Sequence, residues 1–588
     1  MKSLKIYLAV IVALICTAAA AETVSMQKAR TFAMQYFGTG KNPSCKVMSA
    51  SEQVAPEYYI FNNPDGGWVI VAGDDRLCPI LAHSDSGSFV SDDMPENIAG
   101  WMNALTKAVT TVRNSDAVQS EKTRKAWNGE NNGRKYAESR KTLATALWNQ
   151  WTPYNQTCNT ATGKSVYAGC VATAMAIVLR YNKFPAKGTG VIPAYTTESK
   201  GYHISSVNID NYSYNWDNMP TTDANTVTWT ASQKKAVADL IFHCGAMVEM
   251  DYTSNGSGAF SSDIAAALGK YMSYNKSARY STRYSYTLEQ WMDKLRAEID
   301  ANRPVLYSAF GSEGGHQFVC DGYDMSSNEL HFNWGWGGAD NGFYAIDLDA
   351  YDLAEGHDAV FGLTPDPEGT SEEDQCVRME TYVDIYGNVN GDGIVLSSGT
   401  IAPGNSFTIK ADYFFNFNYT TYNGAVKAAL VDRNGLLKEF IGNEMSMKLD
   451  YMYADSDDWY GAIRSYSCKI NGPIEFGDRI VFYFKNTATG QWMSVVTEKA
   501  TPSFAECLPV YDVAYISDKG SYTAGDWYYF NLSKGQKKIS SVKWYFNGNA
   551  VDADAQGVKL TKGTSCVKAA VTYTDGSSET LTKNVTAK

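Results

Sequence analysis

At 588 residues the chain is several times the length of an ordinary domain, so about two to four separately cored units are expected. Lys and Arg total 51 against 63 Asp and Glu, a formal charge of -12, and no basic stripe tracks a phosphate backbone, which argues against nucleic acid as a partner. With 39 Tyr, 14 Trp and 19% charged residues, the composition suits β-rich extracellular domains rather than a disordered or coiled-coil chain.

The first 21 residues read as a signal peptide. Lys2 and Lys5 precede an apolar run over 6–15, then small residues end at Ala19, Ala20 and Ala21. The run is shorter than the ~20 residues of a membrane span, so cleavage before Glu22, export, and no membrane span in the mature form are expected. Residues 22–142 read as an α+β unit with a helix near 27–36 and strands over 58–61 and 68–71, divided by the turn Asn63-Pro64-Asp65-Gly66. Its tail over 122–141 carries Lys122, Arg124, Lys125, Arg134, Lys135, Arg140 and Lys141 around Asn128-Gly129 and Asn131-Asn132-Gly133. This reads as a polar processing linker with nothing to bury.

From 143 to 366 the pattern mixes helices (170–181, 231–250, 288–301) with strands (305–310, 317–323, 329–334, 343–347), an α+β domain of enzyme size. Beyond it, short alternating strands with the turns Asn434-Gly435, Asn547-Gly548 and Asp575-Gly576 predict two all-β sandwiches, 370–506 and 507–588. In the last, Val567, Ala569, Val571 and Tyr573 alternate inward, and Trp544 stands where an immunoglobulin-like sandwich buries one. The 11 cysteines are sparse, irregularly spaced and form no CxxC pair, so neither a disulfide framework nor a structural zinc site is expected.

Cys170 follows a glycine at the start of a predicted helix, where dipole and free N–H groups favour a thiolate. Taken alone, the segment fits a buried structural cysteine at least as well. A nucleophilic thiol needs a base, and there are six histidines. His83 lies in the N-terminal unit, His243 inside an apolar helix, and His203 and His357 in polar stretches where a solvated ring is the plain reading. His316 differs, because it follows Gly314-Gly315 and opens the apolar run Gln317-Phe318-Val319-Cys320, with backbone room around its ring. A strand later, Asn333-Trp334-Gly335-Trp336-Gly337-Gly338 offers an amide to orient an imidazole and indoles to cover it, although core packing explains the tryptophans equally well.

The segments 169–176, 314–319 and 333–338, in that order, resemble the streptopain family of papain-like cysteine peptidases, which are secreted bacterial zymogens. The resemblance spans roughly 22–366. It implies a papain-like catalytic domain at 143–366, Cys170 as nucleophile, His316 as general base, Asn333 orienting the imidazole, and Trp334 and Trp336 shielding that contact. Trp148-Asn149-Gln150-Trp151 is similar to the family's oxyanion segment, which implies Gln150 as a side-chain donor. Gly169, Gly314 and Gly315 would then shape substrate-binding loops. Residues 67–75 are similar to the inhibitory propeptide of the family, so the enzyme's own N-terminal unit is expected to hold it latent.

Protein or peptide substrates are expected, with no metal and no cofactor. Rival readings are an adhesin dominated by the C-terminal third, which also offers surface binding, and another acyl-transfer enzyme on the same fold. A Ca²⁺ loop at 388–393 is disfavoured, since Gly399 stands where its bidentate acid belongs.

Overall fold

The computed structural model describes residues 23–588 apart from short stretches, chiefly 49–55, 130–139, 349–356, 450–463 and 498–507. The expected signal peptide and most of the 388–393 loop lie outside the described residues. Two compact units emerge: one takes in nearly all residues up to Ser371, the other begins at Glu372.

In the first unit, helix α1 (Met26–Phe37) precedes strands β1 (Ser44–Met48), β2 (Tyr58–Asn62), β3 (Trp68–Ala72) and β4 (Ile80–Ser84). Ser25 caps α1 by accepting from the Lys28 N–H. Helices α2 (Glu96–Arg113) and α3 (Glu121–Trp127) follow, then the short strand β5 (Arg140–Thr142). The enzyme-sized region opens with α4 (Gln156–Thr162) and α5 (Cys170–Asn182), then the paired ribbons β6 (Val191–Ile192) to β9 (Val207–Asn208), with β7 (Tyr195–Thr196) and β8 (His203–Ile204) between them. Helices α6 (Ala231–Met247) and α7 (Asp263–Met272), strand β10 (Arg279–Thr282) and helix α8 (Leu288–Asp300) lead to β11 (Val305–Gly311), β12 (Gly314–Asp324), β13 (Glu329–Asn333), β14 (Gly342–Ala345) and β15 (Asp358–Phe361).

One sheet runs through both halves of this unit, in the order β1-β2-β3-β4-β14-β13-β12-β11-β15-β10. The join is antiparallel, with Phe343 opposite His83 and Tyr344 opposite Ala82. Close approach here requires Gly342: a Cβ would meet the His83 carbonyl oxygen at 2.5 Å and the Trp68 ring at 2.8 Å. From the N-terminal half, α2 inserts Trp101 between Phe332, Trp334, Tyr344 and His357, at ring distances of 5.3 to 5.7 Å.

A polar cluster, buried at His83, Asp324 and Glu329, closes the same seam. His83 Nε2 lies 2.9 Å from Glu329 Oε2, and His83 Nδ1 lies 2.8 Å from the Tyr36 hydroxyl, which donates to Asp85. Arg140 of β5 donates to Asp324 at 2.5 Å and to Asp85 at 3.1 Å. Ligand atoms of His83, Asp324 and Glu329 all lie within 4.8 Å of one another, close enough to share an ion. The Arg140 guanidinium, 3.5 Å from His83 Nε2, already supplies a cation there.

The expected featureless linker is therefore corrected at both ends. Residues 121–127 form a helix because Ser120 caps it, and Trp127 is buried, donating to the Leu77 carbonyl and lying edge-on to Phe32 at 4.8 Å. At the other end, β5 pairs with β12 from Gly322 to Asp324. The enzyme-sized region also extends past 366, since Asp366 accepts from the Thr370 and Ser371 N–H groups and Ser371 accepts from the Lys276 N–H.

In the second unit, one apolar core gathers residues from Val377 to Val510 and another from Ile516 to Ala587. Leu508 and Val510 belong to the first core, so the division falls slightly after the expected 507. Val567, Ala569, Val571 and Tyr573 all point into the second core as the alternation required. Trp544 packs against that core but is only half-buried, as are Val542 and Phe546 on the same strand.

Candidate active site

Helix α5 is apolar all round, with every residue from Cys170 to Leu179 buried, so packing holds it on both sides. Gly169 starts it at φ +94, and a Cβ there would meet Met250 Sδ at 2.7 Å. The neighbours that approach Gly169 so closely are thus protein groups, Met250 and the Ser257 carbonyl, rather than space left for substrate. Cys170 is 7% exposed. Helix α5 packs on β12, the strand that carries His316.

The loop 143–150 links the other site segments. The Ala168 N–H donates to the Gln150 carbonyl at 3.0 Å, tying that loop to the approach to Cys170. The Gly337 N–H donates to the Trp148 carbonyl at 2.8 Å, tying it to the loop that follows Asn333. Gly335 in that loop faces α5, where a Cβ would touch Thr173 at 3.4 Å. Gln150 itself is 3% exposed, and its Nε2 is buried with no hydrogen-bond partner.

His316 is half-buried at the start of β12, opposite Ala309, where Gly314 and Gly315 pair with Gly311 and Phe310 to close the hairpin. Its Nδ1 is buried without a partner, and burial pulls the imidazole down to about 4. The expected contact with Asn333 is not among the hydrogen bonds of the described residues. Asn333 Nδ2 donates to Thr145 Oγ1 and to the Ala146 carbonyl, both at 2.9 Å, and its Oδ1 accepts from the Gly335 N–H. Thr145 in turn donates to Asp321, which pairs with His331 Nδ1. Thr145, Asp321 and His331 lie outside the sequence-read site, and no motif marked them. The chemical signal was faint: a histidine and an aspartate on adjacent strands.

Trp334 is 1% exposed, packed against Trp101, Phe318, Phe332 and Tyr344. Trp336 is half-buried beside Tyr167. His357, read as a solvated ring, is buried; its Nδ1 meets the Tyr307 hydroxyl at 2.8 Å, and burial pulls it down to about 3. Among the described residues Cys158, Cys170, Cys244, Cys320 and Cys468 are buried and none of them is in a disulfide. Burial pushes the Cys158 thiol up to about 12 and drives Cys244 and Cys320 further up, so none of these three offers a thiolate near neutrality.

The profile of the Peptidase C10 family matches residues 148–344, and that of the Spi protease inhibitor matches 21–109. Streptopain of Streptococcus pyogenes is 31% identical over 324 residues, covering 51% of this chain and 77% of that protein. The chain belongs to the Peptidase C10 family. It is a cysteine peptidase made with its own inhibitory propeptide. Thiol protease/hemagglutinin PrtT of Porphyromonas gingivalis is 30% identical over 402 residues, 65% of this chain but 44% of that protein, so the chain spans less than half of that relative. A solved fragment of Prevotella intermedia prointerpain A is 31% identical, covering 55% of this chain and 100% of the fragment at a TM-score of 0.45. As a C10 zymogen, the chain carries its inhibitor as four added strands on the catalytic sheet, with Trp101 set into the same core. Among the described residues, no helix is long and apolar enough to cross a membrane.

Proposed function

We propose that this C10 peptidase is an exported endopeptidase that cleaves protein or peptide substrates through a thioester on Cys170. The Cys170 thiolate attacks the peptide carbonyl while Gln150 Nε2 and the Cys170 N–H hold the oxyanion. His316, a neutral imidazole at rest, takes the Cys170 proton as the thiolate attacks and gives it to the departing amine; it then takes a proton from the water that frees the acyl group and returns it to the Cys170 sulfur as the thioester breaks. Asn333 acts as a positioning residue, holding the loop that carries Gln150 through Thr145 and Ala146.

The observation that carries this reading is Gln150 Nε2, a buried donor with no partner on a loop bonded to the approach to Cys170. A buried unpaired amide costs about 1–3 kcal/mol, a cost recovered when a substrate oxyanion arrives. Residues 22–142 supply latency, 143 to about 371 the chemistry, and the two C-terminal cores, divided near 510, serve as spacer or surface-binding modules. The test is hydrolysis of unfolded protein by processed enzyme: Cys170→Ala and His316→Ala each abolish it, and Gln150→Ala lowers kcat about 10²- to 10³-fold. A Gln150→Ala effect confined to KM overturns the oxyanion assignment.

A further inference from the structure

Three aromatic rings outside the catalytic set form a continuous patch beside it. Trp151 directly follows Gln150 and is 41% exposed. Its ring lies 4.5 Å from that of Tyr167, and Tyr167 lies 6.2 Å from Trp336, edge-on at 86°. Single exposed apolar residues are ordinary; this one continues into two half-buried rings and is fixed to the site by backbone. The Tyr167 N–H donates to the Thr253 carbonyl at 3.1 Å, and Ser257 Oγ donates to the Tyr167 carbonyl at 2.8 Å. The Trp151 backbone N–H donates to Asn149 Oδ1, which also accepts from the Gln150 backbone N–H, so the backbones that carry the indole and the proposed oxyanion donor share one anchor.

The patch therefore joins two walls. Trp151 and Tyr167 belong to the wall that carries Gln150 and Cys170. Trp336 belongs to the loop after β13, the strand paired with the His316 strand β12. His316 delivers its proton to the departing amine, so the departing peptide lies along the wall to which Trp336 belongs.

We infer that Trp151, Tyr167 and Trp336 form the subsite for the residue just beyond the scissile bond, and that they select an aromatic or large apolar side chain there. A preformed shelf of rings takes such a side chain by stacking and edge contacts at small entropic cost. This rests on the proposed function, because it needs the thioester on Cys170. The same shelf must bind an added amine that intercepts the thioester: the S–C bond breaks, an N–C bond forms, and His316 accepts the proton that the amine loses.

Partition of the acyl-enzyme reads the subsite directly. Full-length precursor is processed, acylated with a peptide ester, and offered water against phenylalanine amide or glycine amide. Phenylalanine amide should capture the acyl group about tenfold or more better than glycine amide. Trp151→Ala and Tyr167→Ala should each reduce that preference to about twofold or less, and Trp151→Phe should restore most of it. The ratio is internal to each sample, so loss of folded enzyme does not change it. A flat ratio in the unaltered enzyme, or an unchanged ratio in both alanine variants, overturns the subsite alone. Acylation that persists in Cys170→Ala overturns the proposed function beneath it.

Discussion

Replacing Trp101 by Ala should loosen the propeptide and hasten activation. The ring is 4% exposed and meets Phe332, Trp334, Tyr344 and His357, all in the catalytic half of the sheet. Trp→Ala in a core costs about 3–5 kcal/mol. Against this, Trp101 Nε1 is buried with no partner, a burden of about 1–3 kcal/mol that the variant removes. A net loss of about 2 kcal/mol at the seam raises the fraction of detached propeptide roughly 30-fold. Autoprocessing of full-length precursor, followed by gel and by peptide hydrolysis, should quicken on that scale. Trp101→Phe keeps a ring, drops the unpaired N–H, and should process close to the unaltered rate. A Trp101→Ala precursor that folds yet processes no faster refutes the view that this helix holds the enzyme latent.

Arg140→Gln should also speed processing, since it removes the ion pair to the buried Asp324 carboxylate and the bond to Asp85, at a cost of about 1–3 kcal/mol; an unchanged rate in folded precursor contradicts this. Truncation after Ser371 should preserve hydrolysis of short peptides, because the last hydrogen bonds described for that unit close at Ser371; loss of activity in a folded truncate would show that the β-rich unit completes the site. Burial holds His243 down at about 4, whereas the unfolded ring titrates near ~6.5. As pH falls through that window the unfolded state takes up a proton that the native ring refuses, so stability drops. Asp358, pushed up to about 7, works in the opposite direction by binding a proton in the native state. His243→Gln should therefore flatten the acid loss seen in urea unfolding of the Cys170→Ala protein between pH 6.5 and 4; an identical slope contradicts this.

Local pattern was legible wherever a segment's own chemistry sets its structure. Helix α5 runs from the cysteine that follows Gly169, and the alternation Val567, Ala569, Val571, Tyr573 points inward as written. Partners distant in sequence were not legible. Nothing in the 80–84 or 342–345 strands says that they pair, yet that pairing attaches the propeptide to the catalytic sheet. Basic residues around Trp127 disguised a helix held by one buried indole. The sequence offered Asn333 and His316 as partners by analogy of roles, whereas the amide is spent on Thr145 and Ala146, residues that carry no motif.

The most direct test of the thioester account is labelling with a peptidyl halomethyl ketone, an alkylating substrate mimic, followed by mass mapping. Processed enzyme should carry its inactivating adduct on the Cys170 peptide and none on Cys158, Cys244, Cys320 or Cys468, whose thiols burial keeps protonated. Unprocessed precursor, with Cys170 at 7% exposure, should label far more slowly. An adduct on one of those four buried cysteines, or inactivation without modification of Cys170, would contradict the account.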